Sequence, residues 1–142
     1  YDEGQRNSAL ALANHSFDVD HPGKDSHRHR TAGASQVLLS SGTRWALMSE
    51  LRGAAEPSLT DLLTKLDPVD LILIEGYKRD THPKVEAYRA EPGNPLIATH
   101  DPTIKAIATD TPLTTDRPQF DLDDTAAIAD FILGHLGLPL RK

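Results

Sequence analysis

The hydrophobic positions of this chain fall into short runs, and the most coherent is Val69-Asp-Leu-Ile-Leu-Ile-Glu-Gly-Tyr77. A strand with one wet face alternates apolar and polar residues. This run is apolar on both faces, which predicts an interior parallel strand with helices above and below it. Just ahead, Ser58 to Leu66 predicts a helix: Leu59, Leu62, Leu63 and Leu66 share one face, and Ser58 and Asp61 stand in the relation of a capping box. Asp67-Pro68 stops that helix and delivers the chain into the strand. A helix feeding a buried strand is half of a crossover unit, so the expected class is α/β, a mostly parallel sheet flanked by helices.

The remaining runs fit around that unit. Val37-Leu-Leu39 and Trp45-Ala-Leu-Met48 flank Ser40-Ser-Gly-Thr43 and predict a β-hairpin extension, with Trp45 expected in the core. Val85 to Arg89 alternates like a strand, and Glu91-Pro-Gly-Asn-Pro95 is expected to turn it back. Leu96-Ile-Ala98 and Ile104 to Ala108 read as two further strands, and Pro118 to Asp121 as a last extended piece. Asp123 or Asp124 caps a closing helix that turns Ala127, Ile128, Phe131 and Ile132 inward and ends at Gly137 and Pro139. The run Ala9-Leu-Ala-Leu-Ala13 offers at most a short helix in an otherwise polar opening segment.

Composition narrows the function. A length of 142 residues suits one domain, and a net charge of -6 with a pI near 5.6 argues against a protein held to nucleic acid by phosphate contacts. There is no cysteine, which excludes disulfides and thiolate metal sites and fits a reducing, cytoplasmic setting. No apolar run approaches the length of a membrane span, and no secretory signal opens the chain. With aromatics at 5%, the core rests on Leu, Ile, Val and Ala.

Candidate chemistry gathers in three places. In open α/β sheets ligands collect beyond the carboxyl ends of the strands, which is where Glu75 falls, with Gly76 letting the chain turn away and the basic loop Tyr77 to Lys84, including Lys78, following. Solvation of Glu75 at the sheet end is the plainer alternative. The stretch His15 to Ala34 is the densest in polar groups: Pro22-Gly23 marks a turn, Asp25 or Ser26 caps a helix to about Ala32, and Lys24, Arg28 and Arg30 lie close to Asp18, Asp20 and Asp25. Cations at a helix start suit phosphate oxygens, and a carboxylate suits the accompanying magnesium. A self-paired, solvated helix accounts for the same pattern. His15, His21, His27 and His29 raise zinc or nickel binding, but His27 and His29 are two apart and point away from each other on a helix. Third, the strand Ile104 to Ala108 ends on a polar pair, Thr109-Asp110. There Asp110 can accept two hydrogen bonds from a guanine N1 and N2 edge, or simply cap the turn before Pro112.

Taken together, Phe17 to Ala34, Arg44-Trp-Ala-Leu47, Leu73-Ile-Glu-Gly-Tyr-Lys78, His82-Pro-Lys-Val-Glu86 and Phe120-Asp-Leu-Asp-Asp124 resemble the molybdopterin-guanine dinucleotide biosynthesis adaptor family, MobB, over about Asn14 to Phe131. The resemblance implies a P-loop GTPase-like fold, GTP and magnesium binding and homodimerisation. It also implies assistance to the guanylyltransferase that attaches GMP to molybdopterin, with at most slow GTP hydrolysis. By motif, Glu75 would be the Walker B acid and Asp25 a switch-region acid, both near magnesium, and Asp110 the guanine reader. Lys24, Arg28, Arg30 and Lys78 would hold phosphate, of GTP or of the pterin.

One departure stands against these matches. Family members open with a strand, a G-x-x-x-x-G-K-[ST] loop, its helix and a second strand, and none of these is expected here. Residues 1–14 are expected to lie outside the family and 15–142 to form an incomplete domain. The only Gly-Lys pair, Gly23-Lys24, is followed by Asp25 and preceded five positions earlier by Asp18, so it is not a Walker A sequence. Without that nest of N–H groups the phosphates lose their main cradle, and the chain alone is expected to bind GTP weakly or not at all and to be inactive. Two other classes remain open: a non-catalytic dimerisation and interaction module, and a histidine-rich metal-binding domain.

Overall fold

A computed structural model describes residues 9–13, 20–91 and 93–140. His15, Phe17 and Asp18, singled out above, lie outside the described residues. The chain divides into two compact units, Tyr1–Tyr77 and Lys78–Lys142, each taken by itself below.

In the first unit β1 (Ala9–Ala13) pairs in parallel with β4 (Leu71–Glu75), Ala13 standing opposite Glu75. The alanine–leucine run expected to be at most a short helix is therefore a strand. Five residues are too few for a stable isolated helix, and a parallel neighbour satisfies their backbone instead. The expectation of an interior β4 is also corrected: among the described residues β4 pairs with β1, and Leu73 is 43% exposed. Hydropathy reports how a strand tolerates burial; the neighbours decide whether it is buried.

Between these strands come α1 (Asp25–Thr31), the antiparallel hairpin of β2 (Gln36–Ser40) and β3 (Trp45–Ser49), and α2 (Leu59–Leu63). The hairpin turn is tied by Ser41, whose N–H donates to the Arg44 carbonyl at 2.9 Å and whose Oγ accepts from the Arg44 N–H at 3.2 Å. Val37, Leu39, Ala46 and Met48 share the more buried face, and α1 lies against β2. The other face carries Leu38, Leu47 and Trp45, the last 70% exposed. Trp45 is thus not core, because strand alternation places it with Leu47, opposite the face carrying Met48. α2 is shorter than the leucine spacing suggests, but its capping box is present: the Ser58 Oγ accepts from the Asp61 N–H at 3.1 Å, and the Asp61 carboxylate accepts from the Ser58 N–H at 3.2 Å.

The second unit is built on β5 (Lys84–Tyr88), β6 (Ile104–Thr109) and β7 (Gln119–Asp121), all parallel, with β6 in the middle. Three of the four strand pairings among the described residues are therefore parallel. Ile104, Ala106, Ile107 and Ala108 are buried, and Ala98 joins Ile104 and Ile107 in a core flanked by Tyr88, Leu96, Ile97 and Leu113. The expected strand at Leu96 to Ala98 is instead a 3-10 turn, Ile97–Thr99. Parallel pairing of β5 with β6 demands a crossover in place of the hairpin return expected at Glu91 to Pro95. Buried Glu86 holds that crossover, accepting from the Ile97 N–H at 2.8 Å and the Ala98 N–H at 2.7 Å. Arg117 closes the other side, donating to the Ala98 carbonyl at 2.9 Å and to the Ile104 carbonyl. α3 (Thr125–His135) starts at Asp124, whose carboxylate accepts from the Ala127 N–H at 3.0 Å, and rests Phe131 on Phe120 with ring centres 5.3 Å apart. Among the described residues no helix is long and apolar enough to cross a membrane.

Candidate functional site

The backbone turns abruptly at the strand end, just past Glu75. Gly76 has φ +85° and Tyr77 φ +45°, so two successive residues take the left-handed conformation and swing the chain off the tip of β4. Such a conformation is costly for a tyrosine and concentrates where a site constrains the backbone. Glu75 itself is exposed at that tip.

The helix expected after Pro22-Gly23 is present, but its start differs. Lys24, not Asp25 or Ser26, occupies the capping position, and no side chain caps the helix. Lys24, Asp25 and Arg28 are exposed, with Asp25 and Arg28 paired at 3.7 Å across one turn. At seven residues the helix has a short dipole, so these side chains carry most of its electrostatic character. Arg30 is placed differently from the other two cations. Its side chain is 19% exposed and its Nε lies 3.6 Å from Asp20 and 3.4 Å from Glu50. Asp20 is buried and also accepts from the Ser26 Oγ at 2.6 Å and the His21 N–H at 3.0 Å. Ser26, whose type suggests a cap, thus anchors the preceding loop to the helix. Arg52, at φ +46°, completes the arrangement by donating to the Arg30 and Ala34 carbonyls at 2.7 and 2.9 Å, covering the end of α1.

Glu50 and Arg52 were not among the sequence-derived site residues, and Asp20 entered only as an acid near the helix cations. The six-residue separation of Asp20 and Ser26 across Pro22-Gly23 is a signal for their hydrogen bond; the reach from Arg30 to Glu50 crosses the whole hairpin and leaves no local trace. Lys78 and Asp110 belong to the second unit. Asp110 is exposed just beyond β6, and its Oδ1 accepts from the Thr111 hydroxyl at 3.2 Å, the turn contact that its position before Pro112 allows. Among the described residues no group of three or more His, Asp or Glu side chains is placed to hold a metal ion. The donors nearest to a magnesium role, Asp25 and Glu75, are exposed carboxylates. They suit an ion that keeps most of its waters and takes one or two carboxylates with substrate phosphate.

Among the described residues the Asp61 and Asp101 carboxyls are lowered, both for structural reasons. Asp61 is held below 3.8 by the hydroxyl and then the N–H of Ser58, and Asp101 is likewise lowered by Thr103, with Lys84 adding to it.

Comparison with known proteins places these features. A family profile described as molybdopterin guanine dinucleotide synthesis protein B matches residues 1–110, a span that takes in β1. The chain is 38% identical over 133 residues to a molybdopterin-guanine dinucleotide biosynthesis adapter protein of Escherichia coli strain K12, covering 92% of this chain and 76% of that one. It is 40% identical over 129 residues to the protein of that name from Haemophilus influenzae, covering 89% and 71%. Among solved structures, a molybdopterin-guanine biosynthesis protein B superposes with a TM-score of 0.70 at 20% identity, over 90% of this chain and 80% of that one. A MobB homologue from Bacillus stearothermophilus gives 0.65 at 22%, over 91% and 77%. These likenesses establish the α/β, P-loop NTPase-like fold that the parallel strands and flanking helices express. The chain belongs to the molybdopterin guanine dinucleotide synthesis protein B family.

Proposed function

We propose that this protein is a cytoplasmic adaptor in molybdenum cofactor biosynthesis that assists a guanylyltransferase in joining GMP to molybdopterin. The observation that carries this reading is 38–40% identity, over most of both chains, to proteins named as adapters of that synthesis. The site residues take roles consistent with it. Glu75 and Asp25 serve a magnesium ion and Asp110 reads guanine. Lys24, Arg28 and Lys78 engage phosphate, of GTP or of the pterin, and Arg30 contributes from its braced position. The protein contributes binding, with at most slow GTP hydrolysis.

The 142 residues contain no G-x-x-x-x-G-K-[ST] sequence. By themselves they bind GTP weakly, because neither Lys24 nor Arg28 replaces a nest of backbone N–H groups around the β- and γ-phosphates. The apolar hairpin face of Leu38, Trp45 and Leu47 supports homodimerisation, since contiguous exposed apolar surface marks association sites. The same face favours a second reading, a non-catalytic interaction module that dimerises and retains the guanylyltransferase without GTP.

A reconstituted assay separates these readings. Added to purified guanylyltransferase, molybdopterin, GTP and magnesium, the chain should raise the rate of dinucleotide formation, and Glu75→Gln should reduce the gain severalfold. An unchanged rate with and without the chain rejects the adaptor reading. Calorimetric titration with GTP and magnesium that gave micromolar affinity would overturn the weak-binding statement, and stimulation indifferent to Glu75→Gln would favour the interaction module.

A further inference from the structure

Lys84 opens β5 with its side chain turned back along the chain. That side chain is only 12% exposed, and burying an ammonium is costly unless oxygens replace its water. Four oxygens do so. The ammonium donates to the Asp80 carbonyl, to the His82 carbonyl at 3.4 Å and to the Thr103 hydroxyl at 2.6 Å, and it lies 3.5 Å from the Asp101 carboxylate. The proton order is consistent. The Thr103 hydroxyl gives its own proton to Asp101 at 2.5 Å, which leaves its lone pairs for the lysine. A lysine suits this place because its ammonium is a compact charge with three rotatable donors, where a guanidinium would be a fixed fork.

Two of the four oxygens belong to the loop 78–83 and two to the turn before β6. The Lys84 backbone is held independently by the sheet: its N–H donates to the Thr103 carbonyl at 2.9 Å, and the residue stands opposite Ile104. The loop has no such ladder. Among the described residues, the hydrogen bonds to the backbone of residues 78–83 are the two from the Lys84 ammonium, and the His82 Nδ1 is buried without a hydrogen-bond partner. The strand therefore keeps its place without this side chain, whereas the loop depends on it. At the far end of the loop Lys78 and Arg79 form an exposed turn. Long cationic side chains lose much conformational freedom when they engage a ligand, and a fixed backbone behind them lowers that cost.

We propose that Lys84 is the positioning residue of this loop: its ammonium fills an internal cation site, and the backbone gathered around it holds Lys78 where it meets phosphate. The second half rests on the adaptor reading, in which Lys78 engages phosphate. The cation site does not.

The test uses the intact 142-residue chain and follows backbone amides by NMR relaxation. Lys84→Met keeps the apolar stem and removes the charge; Lys84→Ala also vacates the space that the stem and ammonium fill. In both, order parameters at residues 79–82 should fall from roughly 0.85 to below about 0.6, while those of β6 stay as they are. In Lys84→Ala, n-propylammonium, which replaces the missing atoms, should restore the loop, and tetramethylammonium, which has no N–H donor, should not. A loop as rigid in Lys84→Met as in the unsubstituted chain overturns the proposal. Loss of order in β6 together with the loop also overturns it, since the lysine would then be a general stabiliser, as does rescue that is absent or equal with the two amines. Inorganic tripolyphosphate is then titrated while the amides of residues 78 and 79 are followed. Saturable shifts there should weaken fivefold or more in Lys84→Met and in Lys78→Ala. Equal binding by Lys84→Met despite a loosened loop overturns the positioning role and leaves the adaptor reading standing. If the unsubstituted chain shows no shifts at residues 78 and 79, the phosphate role of Lys78 is what fails, and rescue by n-propylammonium still supports the cation site.

Discussion

β4 and β6 are both apolar runs that end on polar residues at a candidate site, yet they are held in different ways. β6 lies between two parallel neighbours, Ile107 has no exposed surface, and Lys105 is its one exposed position. β4 pairs with β1 among the described residues and shows Leu73 to solvent. The units around them follow suit. The second is organised by an apolar core and by buried Glu86 and inward-reaching Arg117, which stitch the crossover to that core. The first has Met48 as its buried large hydrophobic residue among those described, exposes Trp45, and ties its helix down through Arg30 between Asp20 and Glu50. Apolar burial and charge-assisted contacts together hold the second region, whereas the first, with less apolar burial among its described residues, leans on its charge-assisted contacts. Perturbations should therefore act on them unequally.

The largest effect is expected at Ile107. Ile107→Ala removes a fully buried side chain from the middle strand and should cost about 3 kcal/mol, read by chemical denaturation with circular dichroism. A loss under about 1 kcal/mol would mean that β6 is not the stabilising centre of its unit. Next comes Arg30→Ala, which strips the shared cation from a buried aspartate and should cost about 2 kcal/mol. Its effect should be non-additive with Glu50→Gln, since both changes break one contact. Additivity would remove the contrast drawn between the units. Smallest is Ser58→Ala, about 1 kcal/mol from the lost cap of a short helix. Asp61 sharpens that last test. Its folded carboxyl is held below 3.8 by Ser58, so its contribution is present above that value and fades as pH falls through the lowered one. The Ser58 variant should return the Asp61 titration toward the ordinary range in NMR and flatten the acid limb of stability below about pH 4.

Local chemistry was legible wherever the physics is local. The capping box of Ser58 and Asp61, the cap at Asp124, the turn at Gly23 and the hairpin around Ser41 to Arg44 all join residues a few positions apart. Misreadings arose where distant neighbours decide. Ala9 to Ala13 has a composition that suits a helix and becomes a strand because β4 is there to pair with it. Leu96 to Ala98 looks extended and turns because the Glu86 carboxylate, eleven and twelve residues away, collects two of its N–H groups. Trp45 is hydrophobic but lies on the outward face of a two-stranded hairpin. In the candidate site the exposed acids Asp25, Glu75 and Asp110 and the cations Lys24 and Arg28 could be named from position, whereas the burial of Asp20 and its link through Arg30 to Glu50 could not.

Sequence alone determined that this is an α/β chain with helices feeding parallel strands, acids at strand tips and a cationic helix start, because those properties follow from periodicity and short-range hydrogen bonding. Tertiary structure decided which apolar strand is buried and which cations are turned inward. Burial and ion pairing depend on atoms brought together from separations that no local pattern encodes.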